Sequence, residues 1–293
     1  MKTPLRLDIA GSYTDLPGYR EKGGRHINLP LDYYIHVQTG NNENAFVNQM
    51  NIHVSEILKV SIQPLTAVCD LEHGSGLGAS SATVVGIVKY YSEKYNLSLS
   101  PYEIALSACK AIGWEGGIVG RQDEYSAAFA CPLYLLYLRY YKNTLKRPVV
   151  RALSADATVV DTTVVKPFEL PTEFRQNIAK WKLLYIPRTI PCQEMLDYEM
   201  NANFNIEPIV QHTVLMYNAV VNADWSNFYQ AYKAHWLFVE GQNPSKINAD
   251  IREIRRRYEG IYIRPCGAGA GGYLLIHGDV QGENIIDLKL KEN

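Results

Sequence analysis

The stretch His73-Gly74-Ser75-Gly76-Leu77-Gly78-Ala79-Ser80-Ser81-Ala82-Thr83 decides how the rest of the chain is read. Its glycines and other small residues let backbone amides come close to an anion. A helical pattern starts at Ser80 and runs to about Tyr95, with Val84, Val85, Ile87, Val88 and Tyr91 as its apolar stripe. A loop that feeds straight into a helix meets unpaired N–H groups and the positive end of the helix dipole. Gly74, Ser75, Gly76, Leu77, Gly78, Ala79, Ser80 and Ser81 thus have the makings of a phosphate cradle. Ser80 and Ser81 add hydroxyls for phosphate or Mg²⁺. No Gly-Lys-Ser/Thr follows, so this is not a Walker A loop. A glycine-rich turn that caps a helix is also a common structural device, and the loop alone does not choose between the two.

On the amino-terminal side, residues 5–10 alternate apolar and polar, which predicts a half-buried strand. Gly11 to Gly24 is rich in turn residues, and further strands are expected at 33–39, 54–62 and 66–71. On the other side, Ser100-Pro101-Tyr102-Glu103 combines a capping box with proline at the first helical position, opening a helix that stops near Gly113. Gly116, Gly117 and Gly120 form a second loop, and 122–130 resumes as helix or tight turn. Strands are expected at 133–141 and 158–165 and a linker at 167–171, with the domain boundary there. The second half reads as a strand at 181–185, helices at 193–202, 206–222, 224–237 and 245–258, then Gly267-Ala268-Gly269-Ala270-Gly271-Gly272 and a strand at 273–277.

The chain's 293 residues suggest two domains of roughly 150 residues each. With 47% hydrophobic and 20% charged residues it suits a globular protein and is too apolar for disorder. Its 29 basic and 30 acidic residues leave a net charge of −1, a poor balance for binding a nucleic-acid backbone. No apolar run reaches the ~18 residues of a membrane span. Met1 to Gly11 lacks the apolar stretch of a signal peptide, so a cytoplasmic protein is expected. The five cysteines, Cys69, Cys109, Cys131, Cys192 and Cys266, form no Cys-x-x-Cys pair and are read as free thiols. The 21 tyrosines read as core packing, and the Arg252, Arg255, Arg256, Arg257 cluster as a solvated face.

Three other pieces carry candidate chemistry. Gly267 to Gly272 is a second glycine loop, and two such loops are enough to flank one polyphosphate, though tight packing explains it equally well. Gly120-Arg121-Gln122-Asp123-Glu124-Tyr125 places Asp123 beside an arginine, as a candidate general base or a plain surface turn. Arg6 with Thr14-Asp15 puts a cation on a strand and an acid in the following turn, in the pattern of a site or of an exposed ion pair.

In this order the pieces resemble the GHMP kinases. Pro4 to Asp15 is similar to that family's amino-terminal strand and substrate turn, Gly74 to Ala82 to its Gly-Leu-Gly-Ser-Ser loop, and Gly267 to Tyr273 to its carboxy-terminal glycine motif. Thr14-Asp15-Leu16-Pro17, Gly23-Gly24 with Asn28, and Gly120 to Phe129 resemble its sugar-kinase branch, the heptose-7-phosphate kinases and fucokinases. The resemblance implies an α+β, two-domain fold: residues 1–166 resembling a ribosomal-protein domain and binding ATP, and residues 167–293 a ferredoxin-like α/β sandwich, with the active site between them. It implies ATP-dependent phosphorylation of a sugar or sugar phosphate at the anomeric hydroxyl. Asp123 would be the base, Arg6 the electrostatic stabiliser, and Ser12, Tyr13, Asp15, Gly269 and Gly271 substrate contacts. Ser80 would be the Mg²⁺ ligand.

The chain also departs from the family. His73 replaces a proline, Ala79 a serine, and Ser12-Tyr13 two glycines. Where many members carry a Mg²⁺-binding glutamate this chain has Ile112, and Glu115 fills that role only if the loop is shortened. The rival readings are a kinase of a non-sugar alcohol and a non-catalytic nucleotide- or sugar-binding protein of the same fold. The expected partners are small molecules, with a homodimer allowed for.

Overall fold

Period-two alternation puts Leu5, Leu7 and Ile9 on one face of a strand and Arg6 and Asp8 on the other. In the computed structural model, which describes residues 1–41, 43–72, 74–114, 120–137, 158–160 and 163–292, this segment is strand β1 (Lys2–Ala10). It is buried on both faces rather than half-buried. Leu5, Leu7 and Ile9 enter the core, while Arg6 and Asp8 face a cleft walled by protein.

Strand β2 (Arg25–Thr39) follows two short turns and is long enough to serve three partners. Along its length it pairs with β1; near its end it pairs with β3 (Leu65–Cys69), and near its start with β4 (Leu133–Tyr137). β5 (Thr158–Val160) and β6 (Thr163–Pro167) extend this six-stranded sheet beyond β4, and every pairing is antiparallel. The register of β1 on β2 slips between Pro4 and Arg6 and again between Asp8 and Ala10. Such irregularities re-aim side chains, and these two bracket the residues that face the cleft.

Four helices lie between these strands: α1 (Ala45–Leu58), α2 (Ala79–Lys94), α3 (Pro101–Ile112) and α4 (Gln122–Phe129). The α3 capping box forms in both directions between Ser100 and Glu103. The strand expected at 54–62 is instead the end of α1 and its exit, because Val47, Met50 and Val54 recur at helical spacing and Asn44 caps the start. Of the strand expected at 133–141, residues 138–141 lie outside the described residues. Pro167, expected in a linker, pairs with Leu133 as the last residue of β6.

In the second half α5 (Thr172–Ile178), which the sequence reading did not foresee, precedes β7 (Lys182–Ile186). Then come α6 (Cys192–Asn201), α7 (Glu207–Val221) and α8 (Trp225–Gln242). The helix expected over 245–258 is a single turn at Pro244–Lys246 followed by α9 (Ala249–Arg257). β8 (Ile263–Pro265), β9 (Gly272–Ile276) and β10 (Ile285–Asp287) complete a second antiparallel sheet in the order β10-β7-β9-β8.

One apolar cluster runs through both halves. It is rich in aromatic residues, with Tyr91, Tyr125, Phe174, Phe228, Tyr232 and Trp236 fully buried, as the packing reading of the tyrosines expects. Three bonds from the second half grip the end of β1. Trp236 Nε1 donates to Ile9 O at 2.9 Å, Arg264 Nη2 to Asp8 O at 2.5 Å, and Gly11 N to His235 Nε2 at 3.2 Å. Each satisfies a buried polar group that would otherwise destabilise the fold. All five cysteines are free thiols. In the arginine cluster Arg252, Arg256 and Arg257 are exposed, whereas Arg255 turns inward to Glu240 at 2.6 Å. Among the described residues no helix is long and apolar enough to cross a membrane.

Candidate active site

A cavity of about 380 Å³ opens between β1, the Gly74–Ser81 loop, α4, the start of α6 and the Gly267–Gly272 loop. Its centre is an ion pair. Arg6 Nε donates to Asp123 Oδ1 at 2.6 Å, and Nη2 donates to Oδ2 at 2.9 Å. This fork-on-fork contact fixes both planes. Arg6 Nη1 donates to Gly76 O at 3.0 Å, and the Arg6 backbone N–H donates to Leu77 O at 3.0 Å. Burial works against the charge of Arg6, but the Asp123 carboxylate outweighs it and raises its pKa further. The Asp123 side chain stays 25% exposed, so the carboxylate faces open space while gripping its partner.

The loop fits tightly around this pair. Gly78 has a φ of 77°, and a Cβ there would lie 3.2 Å from Arg6 Cγ and 3.6 Å from Asp123 Oδ2. Gly78 begins α2 with no side-chain cap, which leaves first-turn N–H groups available to an anion. Leu77 points into the core, and its N–H donates to Ser75 Oγ at 3.2 Å. The second glycine loop presses on the first: a Cβ on Gly76 would meet Cys266 O at 2.4 Å, and one on Gly267 would meet Gly76 O at 2.8 Å. Gly267 and Ala268 line the cavity. Gly269 packs on Lys246 and Gly271 on the backbone of Pro187 and Arg188, so they position cleft residues instead of lining the cleft.

Asp15 is spent partly on structure. Its Oδ2 accepts from Arg121 N at 2.7 Å and Gln122 N at 3.1 Å, holding the start of α4 and hence Asp123. A Cβ on Gly120 would lie 2.2 Å from that oxygen. Burial, and then the nearby Asp123 charge, push the Asp15 pKa up to about 6. His26, 3.6 Å from Asp15 Oδ1, is pushed down to about 4 by its burial. Ser12 and Tyr13 line the cleft beside it; Ser12 O accepts from Gln122 Nε2 at 3.1 Å, and Tyr13 Oη accepts from Gln242 Nε2 at 2.7 Å.

Several cleft residues were not assigned a role from sequence. Glu124 is 3% exposed and accepts from Ser81 Oγ at 2.7 Å. Burial, then Asp123's charge, push it up to about 8. Its only sequence signal was its place beside Asp123. Lys246 and Glu199 form a buried pair at 2.6 Å, and Arg188 reaches the carbonyls of Gly269 and Gly74, the latter at 3.2 Å. Their wide sequence separation gave no warning of either arrangement. Ile112 lines the cavity, Ser80 is exposed at its edge, and His73 and Glu115 lie outside the described residues. Among the described residues no group of three His, Cys, Asp or Glu side chains is arranged to hold a metal by itself.

Residues 46–131 match the model of the GHMP kinases N terminal domain. The chain is 27% identical to D-glycero-alpha-D-manno-heptose 7-phosphate kinase of Campylobacter jejuni, over 95% of this chain and 88% of that one. It superposes with a TM-score of 0.64 on a D-glycero-D-manno-heptose 1-phosphate kinase of Bacteroides thetaiotaomicron, at 18% identity over 99% of this chain and 96% of that one. Mevalonate kinase of Methanococcus jannaschii gives 0.67 at 14% identity, over 100% of this chain and 98% of that one. Two glycine loops close around the Arg6–Asp123 pair, residues 46–131 match a GHMP kinases N terminal domain, and the chain is similar to named kinases along its length.

Proposed function

We propose that this protein transfers the γ-phosphoryl group of ATP directly, in line, to a hydroxyl of a sugar or sugar phosphate. The observation that carries this reading is the Arg6–Asp123 pair held at the uncapped start of α2. Phosphoryl transfer asks a protein for positioning and charge stabilisation more than for covalent chemistry. The loop Gly76–Ser81 would take the ATP phosphates on backbone N–H groups. Arg6 would offset charge on the transferring group. Asp123 would orient the attacking hydroxyl and receive its proton, using lone pairs not engaged by Arg6.

The acceptor side of the cleft suits a polyol. Asp8 Oδ1 and Gln122 Oε1 are buried acceptors of residues that line it, without a hydrogen-bond partner among the described residues. Unpaired buried acceptors are costly, and sugar hydroxyls are the donors that would satisfy them. Asp15 Oδ1, Ser12 and Tyr13 belong to the same wall. We take the anomeric hydroxyl as the acceptor group, in keeping with the likeness to a heptose 7-phosphate kinase. The cleft lies between the proposed domains 1–166 and 167–293, and a cytoplasmic setting belongs to the same proposal.

Mg²⁺ fits this site. Glu124 is a buried carboxylate bonded to a serine hydroxyl at the phosphate loop, with no ion-pair partner among the described residues. We propose Glu124 and Ser81, with the exposed Ser80 beside them, as its holders. Phosphate oxygens would complete an oxygen-ligand set. When bound, the ion neutralises phosphate charge. Ile112 in the cavity wall favours a second reading, a binder that does not transfer phosphate.

The test is ADP release with Mg·ATP against free hexoses, heptoses and their phosphates, with Asp123→Asn alongside. Release that depends on one acceptor and collapses in the variant is expected. ATP binding without turnover on any acceptor would favour the binder.

A further inference from the structure

Among the described residues the cleft is lined by three cations, Arg6, Lys246 and Arg188, against five carboxylates. Two of the cations are already matched. Arg6 is held by both oxygens of Asp123, and Lys246 by Glu199 at 2.6 Å and Ala268 O at 3.0 Å. Arg188 differs. Its Nη1 and Nη2 reach only the carbonyls of Gly269 and Gly74, its Nε is buried with no partner, and no carboxylate pairs with it among the described residues. Among the described residues it is the cleft's one cation without a carboxylate partner. A guanidinium fixed by backbone carbonyls and left without an anion is pre-organised to receive one.

A second feature lies next to it. The ten-residue helix α6 begins at Cys192 behind Pro191, with no side-chain cap, and Cys192 and Gln193 line the cavity. Its first-turn N–H groups and its dipole favour negative charge there. Glu194, the acid of that turn, is exposed and does not line the cavity. Arg188 and this turn line the cavity together with residues of β1 and α4, and Arg188 meets the phosphate loop at Gly74, four residues before the Gly78 that opens α2.

We propose that Arg188, supported by the start of α6, is an anion subsite for a phosphate carried by the acceptor, so that the acceptor is a phosphomonoester and not a free sugar. This rests on the kinase reading above. ATP would occupy the α2 end of the loop and the acceptor's own phosphate the Arg188 end. The sugar between them would bring a hydroxyl to Asp123.

The experiment compares wild type, Arg188→Gln and Arg188→Lys, using D-glycero-D-manno-heptose 7-phosphate and the unphosphorylated heptose. KM, kcat and the Kd for ATP are measured for each. Wild type is expected to favour the phosphorylated acceptor by about 100-fold in kcat/KM, and Arg188→Gln to raise its KM about 30-fold. Arg188→Gln should leave kcat and the Kd for ATP within about 3-fold, with Arg188→Lys intermediate in KM. A loss of ATP affinity with an unchanged acceptor preference would assign Arg188 to the nucleotide and overturn the proposal. So would an unchanged KM. Inorganic phosphate, titrated with a non-hydrolysable ATP analogue already bound, separates the two readings. Phosphate binding that is lost in Arg188→Gln keeps the subsite even if no acceptor turns over. Binding indifferent to Arg188 removes the subsite even if the kinase reading stands.

Discussion

On one wall of the cleft Arg6 lies against Asp123 with both carboxylate oxygens engaged, at 2.6 and 2.9 Å. Elsewhere in the lining, Arg188 is held by two backbone carbonyls and meets no carboxylate among the described residues. The first arrangement orients groups that are present whether or not a ligand is. The second leaves a charge for a ligand to complete. Two arginines in one cavity thus serve as a fixed frame and as an open contact, and the partner, not the residue type, makes the difference. The frame wall rests on Asp15, which holds the start of α4, and on glycines that let backbone and carboxylate approach.

Breaking the frame at its centre should have the largest effect. Asp123→Asn keeps the shape but loses the charge that Arg6 faces, and kcat should fall by about 10³-fold while ATP affinity changes little. A variant retaining a tenth of wild-type kcat would remove Asp123 from the chemistry. Next comes Arg6→Lys, which keeps a cation but cannot fork onto both oxygens. A loss in kcat of about 10²-fold is expected, and pairing the two substitutions should cost less than the product of the single losses. Strict additivity in that cycle would mean that the pair does not act as a unit.

A smaller loss sharpens the distinction between the frame and the metal-binding groups. Glu124→Gln should reduce by about 10-fold the tightening of ATP binding that Mg²⁺ brings, read as the ratio of Kd in Mg²⁺ to Kd in EDTA. An unchanged ratio would take Glu124 out of the metal site. Gly120→Ala tests the support beneath the frame. Its Cβ would lie 2.2 Å from Asp15 Oδ2, so the carboxylate must leave the start of α4. A loss of about 1–3 kcal/mol in urea unfolding is expected, and no loss would show that Asp15 does not hold the helix.

The smallest effect concerns pH, measured in EDTA without nucleotide. Glu124 is pushed from an ordinary 4.5 up to about 8, first by burial and then by Asp123's charge, so the folded state holds a proton that the unfolded chain releases. Its favourable contribution is complete below 4.5 and is lost as pH rises through about 8. The amide of Glu124→Gln carries no such dependence. Its Tm relative to wild type should therefore climb by a few degrees across that window. A flat difference would show that Glu124 is already ionised in the folded protein.

Local chemistry made much of this legible. The Ser100–Glu103 box, the α2 stripe and the alternation of β1 are satisfied within a few residues of themselves, and each appears where the sequence reading placed it. Residues 54–62 misled because Val54 and Ile57 favour a strand locally, whereas their burial with Val47 and Met50 makes residues 54–58 the last turn of α1. α5 escaped because Phe174 and Ile178 show an apolar face only against the rest of the core.

By itself the sequence determined the two glycine loops, the helix behind the first, and the presence of Arg6, Asp15 and Asp123. Glycine conformations and helix starts are properties of neighbouring residues. Only the tertiary structure decided which charges meet. Arg6 and Asp123 lie 117 positions apart, and Asp15 and Gln122 lie 107 apart. Lys246 is neutralised by Glu199 from another helix, while Arg188 meets backbone carbonyls and no carboxylate among the described residues. Pairing depends on distance in space and on the exclusion of water. Both are set when β1, α4, α6 and the second glycine loop close on one another.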